Sequence, residues 1–229
     1  MWQKTAVNKL MIYEHDPTKI TEDSFTQIRR ELAEQNHALD DLHAPIIERM
    51  IHSSADFDFV DITYFSDGAV EAGISALRTG CTIVTDVNMI RTGISVPRVT
   101  ALACSLHCLV ADPQTHARAE QNKTTRSAMG MQIAHEWELL DGGIIVIGNA
   151  PTALYEVLRL IEEQNAQPAL IIGVPVGFVN VAESKAALMH INTVPWIATQ
   201  GRKGGSPVAV GIVNALLRMA QSVAKTETD

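Results

Sequence analysis

Aromatic residues make up only 5% of the 229-residue chain, so aliphatic side chains must fill its core. Basic residues are outnumbered, and the formal net charge is -8. That balance argues against general nucleic-acid binding, which needs a basic face. It leaves room for small anionic ligands, because salt screens distant charge and a few local arginines dominate nearby. There are just three cysteines, Cys81, Cys104 and Cys108. An odd count, with no apolar signal-peptide run in MWQKTAVNKL, points to a reducing, cytoplasmic setting. No stretch is long and apolar enough to span a membrane. Internal repeats and low-complexity linkers are also missing, which favours one domain over residues 1–229.

Several chemical signatures fail on spacing. Cys104, His107 and Cys108 have no second ligand cluster to complete a metal site, so Cys104 and Cys108 read as core cysteines. No serine or cysteine stands in a nucleophile elbow. GRKGGSP (residues 201–207) invites a phosphate-loop reading, but Lys203 precedes both later glycines and the required gap is missing. No GxGxxG follows a strand. The expectation is a chain with no metal, flavin or nucleotide cofactor.

What is present is a clear order of elements. The first part is helical. Thr21 suits the cap of a helix with the apolar stripe Phe25, Ile28 and Leu32. A second helix starts near Pro45, a residue suited to the first turn, and carries Ile46, Ile47, Met50 and Ile51. A third covers residues 69–78 and stops at Gly80. CTIVT (81–85) then reads as a strand and VTALACSL (99–106) as a weaker one. A helical stretch with Ile133, Trp137 and Leu140 follows, stopped by Gly142 and Gly143. After it, strands IIVIG, ALIIGVPV and PWIAT alternate with helices over residues 152–163, 182–189 and 207–220. Apolar strands alternating with helices indicate a parallel sheet buried on both faces. The count predicts an α/β fold: an open, doubly wound parallel sheet of about five strands, with helices on both faces and an N-terminal helical segment.

Ligands of such sheets bind beyond the C-terminal ends of the strands. The loops there read TDVNMIRTGI, GNAPTA, PVGFVNVAESK and TQGRKGGSP. Asn149 and Ser206 stand just ahead of helix-starting prolines, where exposed N–H groups attract carboxylates or phosphates. On the second helix, Arg49 and His52 share the face opposite the apolar stripe. By pattern alone this is a solvated polar face. Its functional reading is an anion-binding arginine beside a proton-transfer histidine.

Seven segments resemble the precorrin-8X methylmutase family. They are SFTQIR (24–29), ERMIHSSAD (48–56), IVTDVNMIRTGI (83–94), TTRSAMGM (124–131), VIGNAPTAL (146–154), PVGFVNVAESKAAL (175–188) and GRKGGSPVAV (201–210). The resemblance runs from about Ile20 to Met219. It implies a flavodoxin-like fold, a homodimer, and a cofactor-free isomerisation in cobalamin biosynthesis. In that reaction a methyl group moves from ring carbon 11 to ring carbon 12 by a 1,5-sigmatropic shift. The family's catalytic histidine falls on His52, and its substrate-contacting residues fall on Ser24, Arg49 and Arg126. HSSAD lacks the glycine that often follows the catalytic helix, which bears on how that helix ends.

The substrate so implied is an anionic tetrapyrrole ringed by carboxylates. Arg49, Arg126 and Arg202 suit such groups. Asp86 and the helix starts at Asn149 and Ser206 complete the candidate contacts. Two other readings stay open: a non-catalytic corrinoid carrier on the same fold, and a flavin or nucleotide enzyme.

Overall fold

The computed structural model describes residues 14–224, with side chains to Ser222. The N-terminal run Met1 to Leu10, read above for a signal peptide, lies outside the described residues. The chain divides into two units, Met1–Ala38 and Leu39–Asp229.

In the first unit, helix α1 spans Pro17–Glu34. Its cap is Asp16, whose carboxylate accepts from the amides of Thr18 and Lys19. Thr21, predicted as the cap, sits one turn inside and donates to Pro17 O. Asp16 followed by Pro17 is the stronger start signal, since proline at the first position loses no helical hydrogen bond. Ile28 and Leu32 are buried, as the stripe predicts.

The second unit holds a six-stranded sheet. Helix α2 spans Ala44–Ser54, α3 Phe59–Ile62 and α4 Ala69–Arg78. The short strand β1, Thr63–Phe65, lies between α3 and α4. Then follow β2 (Thr82–Thr85), α5 (Asn88–Gly93), α6 (Val96–Ala101), β3 (Ser105–His107), α7 (Pro113–Gln121) and α8 (Arg126–Glu136). The last part alternates: β4 (Ile144–Ile147), α9 (Pro151–Gln164), β5 (Leu170–Gly173), α10 (Val181–Met189), β6 (Trp196–Thr199) and α11 (Ser206–Ala224).

The strand order is β1-β6-β5-β4-β2-β3. All neighbours are parallel except β1, which runs antiparallel to β6 with Thr63 opposite Thr199. The five parallel strands taken alone have the order 2-1-3-4-5, the flavodoxin-like arrangement. Every residue of β4, β5 and β6 is buried, as a sheet covered on both faces requires. Helices α4 and α11 pack together on one side, with α2 against α11. Helices α8, α9 and α10 pack in sequence on the other, around Ile145, Ile147, Ile171 and Ala198.

Three differences from the sequence reading have plain causes. β1 is only three residues long and borrows its order from β6. The first half of VTALACSL is helical, because Val96–Ala101 begins with a proline in its first turn and leaves Ser105–His107 as the strand. Helix α8 ends before Trp137, so Leu140 is buried from the following turn. Among the described residues no helix is long and apolar enough to cross a membrane.

Packing against β5 is close enough to exclude a methyl group. A Cβ on Gly173 would stand 2.3 Å from Leu188 Cδ2 and 3.4 Å from Leu154 Cδ2. Gly173→Ala should therefore lower stability by about 1–3 kcal/mol, the usual cost of overpacking. Urea unfolding followed by circular dichroism measures it, and an unchanged midpoint would contradict the tight fit.

Candidate active site

In the five parallel strands, the chain reverses its direction of travel between β2 and β4. In open sheets of this kind, ligands bind at such a point, beyond the C-terminal ends of the strands. Asp86 follows β2 directly and is 1% exposed. Its Oδ1 accepts from the amide of Gly148 at 3.2 Å, and its Oδ2 accepts from Asn149 at 3.0 Å and Ala150 at 2.7 Å. These three donors favour a carboxylate, but burial opposes them and pushes the Asp86 pKa up to about 6. Asp86 therefore faces backbone. The amides of residues 148–150, ahead of α9, already hold its carboxylate, while the Asn149 side chain is exposed.

Arg126 opens α8 near this point and is exposed. Next to it, Ser127 Oγ donates to Asp86 O at 3.2 Å. Thr125 caps α8 by accepting from the Ala128 amide, and its hydroxyl meets that of Thr152 at 2.7 Å. The starts of α8 and α9 are thus joined, which brings Arg126 and Asn149 near the buried Asp86.

A second group forms at β6. Gly205 donates its amide to Val174 O at 2.8 Å, and Gly177 donates to Arg202 O at 3.3 Å. The loops after β5 and β6 are therefore bonded together. Gly204 makes this approach feasible: at φ +157° a Cβ would lie 2.2 Å from Val174 O. Arg202 is exposed and its guanidinium lies over the Phe178 ring, 5.5 Å from the centroid. Phe178 is itself 82% exposed. Ser206 is buried at the start of α11. The β4 and β6 groups adjoin, since a Cβ on Gly148 would stand 3.3 Å from Gly205 O.

Helix α2 lies antiparallel to α11. Gly211 abuts Arg49 O and Ser53 Oγ, whereas the exit from α2 reaches the loop after β6. There Lys203 Nζ donates to Asp56 Oδ2 at 2.7 Å and also to Asp58. His52 is exposed about one helical turn before Asp56, and Arg49 is half-buried. Burial lowers the His52 pKa below the usual imidazole value, and the charge of Arg49 lowers it further. Arg49 is lowered in turn by burial, then by Arg218 and Arg98. Both effects on His52 favour the unprotonated imidazole.

Within the second unit the fold thus gathers His52, Arg202, Ser206, Asn149, Asp86 and Arg126 along one edge of the sheet, with Arg49 further down α2. Ser24 belongs to the first unit, where its hydroxyl donates to Ile20 O at 2.7 Å.

Lys185 had no role in the sequence reading. Its side chain is fully buried, and its Nζ donates to Thr199 Oγ1 at 3.1 Å and Lys203 O at 2.8 Å. A signal existed: Val181, Lys185 and Leu188 stand at helical spacing on one stripe, so the lysine falls on the apolar face. The three cysteines are free and half-buried, and burial raises their pKa values.

The fold defines an α/β protein of flavodoxin-like topology, with Arg126 and Arg202 exposed on the loops of one sheet edge. The precorrin-8X methylmutase family matches residues 19–219. A cobalt-precorrin-8 methylmutase of Leptospira interrogans is 43% identical over 180 residues, covering 76% of this chain and 82% of the relative. One from Methanocaldococcus jannaschii is 41% identical, covering 86% and 89%. A precorrin-8X methylmutase of Pseudomonas aeruginosa is 41% identical, covering 73% and 80%. The crystal structure of the Thermus thermophilus precorrin-8X methylmutase superposes with a TM-score of 0.83 at 43% identity, covering 90% of this chain and 97% of that one. The chain belongs to the precorrin-8X methylmutase family and is an isomerase.

The missing glycine after α2 has a structural outcome. The helix ends through Ala55 at φ 53°, ψ 31°, a left-handed conformation. That conformation costs a residue with a Cβ about 1–2 kcal/mol, against about 0.5–1 kcal/mol of extra chain entropy for glycine. Ala55→Gly should raise stability by up to about 1 kcal/mol. Chemical denaturation decides this, and a loss of stability would show that the strain is absent.

Proposed function

We propose that the chain converts precorrin-8X to hydrogenobyrinate, or cobalt-precorrin-8 to cobyrinate, by moving a methyl group from ring carbon 11 to ring carbon 12. The observation that carries this reading is the placement of His52. It is exposed on a helix whose exit Lys203 ties to the sheet edge where the ligand loops converge. Relatives bearing both names match at similar identity, so the shared macrocycle chemistry is what we assign.

A suprafacial methyl shift needs no nucleophile and no redox centre. It needs the conjugated ring polarised towards the product. His52 supplies a proton at or near a ring nitrogen. Because Arg49 and burial favour neutral imidazole, protonation of His52 waits for the carboxylates of bound substrate to offset the Arg49 charge. Arg49, Arg126 and Arg202 bind those carboxylates, with Asn149 and Ser206 at the adjoining helix starts; Ser24 is a substrate contact on the strength of the family resemblance alone. Asp86 serves the site by holding the β4–α9 loop in place. The family match crosses the division at Ala38, which supports one functional domain over residues 1–229. The enzyme works in the cytoplasm as a homodimer.

His52→Ala should leave folding and product binding intact and slow turnover by about 10²–10⁴, the usual worth of a general acid. Single-turnover conversion of metal-free and cobalt-loaded substrate, with enzyme in excess, reads this from the visible spectrum. Parent-like conversion would remove His52 from the chemistry, and binding without conversion by the parent would favour a corrinoid carrier. For assembly, sedimentation at micromolar concentration should give twice the chain mass; a monomer would overturn the dimer.

A further inference from the structure

We propose that Lys185 is a positioning residue of this site: its buried amine holds the β6–α11 loop in the shape that presents Arg202 to the substrate. The inference rests on the reading of Arg202 as a carboxylate contact.

The geometry turns on one carbonyl. Lys203 O accepts from Lys185 Nζ at 2.8 Å and from Thr199 Oγ1 at 2.9 Å. Lys185 Nζ also donates to Thr199 Oγ1 at 3.1 Å, which closes a triangle under the loop. Outside, the Lys203 side chain grips Asp56 and Asp58 beyond the His52 helix. Arg202, one residue earlier, lies over Phe178, and its own carbonyl accepts from Gly177. Gly204, one residue later, passes so near Val174 O that a Cβ there would lie 2.2 Å from it. The inner anchor of this corner is thus an amine reaching from α10.

Such an anchor is costly. A buried ammonium loses its hydration, and the two partners of Lys185 are neutral oxygens. Methionine would fill the same space without that cost. What the amine adds is the hold on Lys203 O. The charged side chains on the packed elements are engaged elsewhere. Lys203 is on its aspartates and Arg202 over Phe178. Arg159 of α9 is paired with Glu156 and Glu163, while Glu183 of α10 acts on Tyr155. Burial lowers the Lys185 pKa to about 8. A depressed lysine leaves the unfolded chain holding more protons between pH 8 and the ordinary lysine value. Stability from this group therefore rises with pH across that window and is lost as pH falls through about 8.

The test is a double-mutant cycle on hydrogenobyrinate binding by the full chain. Lys185→Met and Arg202→Ala should each weaken binding by about tenfold. The two together should do little more than either, as for residues acting through one network. Lys185→Met with Arg126→Ala should multiply, because Arg126 stands on another loop. The parent should also gain stability relative to Lys185→Met as pH rises from 8 to 10. Lys185→Gln gives the same reading if the methionine variant fails to fold. Multiplying effects with Arg202→Ala or parent-like binding by Lys185→Met would overturn the role of Lys185 and leave Arg202 as a contact. Parent-like binding by Arg202→Ala would overturn both assignments.

Discussion

A carboxylate buried at the point where the sheet reverses its winding organises this protein. Asp86 leaves β2 and at once accepts three amides from the loop after β4. The two strands flanking that point are therefore tied at their tips as well as along their ladder. Through its carbonyl, Asp86 also receives Ser127, and so sets the start of α8 where Arg126 stands. Buried charge is tolerated here because oriented backbone dipoles replace the water it loses. A loop that would otherwise present loose amides to solvent becomes a fixed wall.

The opposite end of the site follows the same logic with the sign reversed. A buried cation, Lys185, takes a backbone carbonyl of the loop after β6. One loop is shaped by an anion collecting N–H groups, the other by a cation holding C=O. Between them the glycines at 148 and 204 let backbone approach backbone. The arginines that face outward can then be few, which is compatible with the proposed anionic substrate at a net charge of -8.

The parallel sheet was legible in the sequence because β4, β5 and β6 are largely apolar and each is followed by a helix. β1 was not, since three residues carry no periodicity and their order comes from β6, more than a hundred residues away. The segment after β2 misled for a related reason: Val99 and Thr100 favour strands, yet Ser95 and Pro97 start a helix. The pairing of Arg49 with His52 could be read from helical spacing alone. The parts played by Asp86 and Lys185 could not, because each is defined by backbone atoms on distant loops, and backbone carries no letter in the sequence. Lys203 was legible only as a misplaced phosphate-loop lysine; its aspartates lie nearly 150 residues back.

The sheet ends on both sides in strands of three residues, β1 and β3. So short a border exposes few unpaired backbone groups, and a template of that size recruits foreign strands poorly. The four-residue inner strands, which are wholly apolar in β4, never reach an open border. The molecule is thus guarded against edge-to-edge polymerisation by the brevity of its margins. By the same token, among the described residues the ladder offers an incoming strand almost nothing to extend.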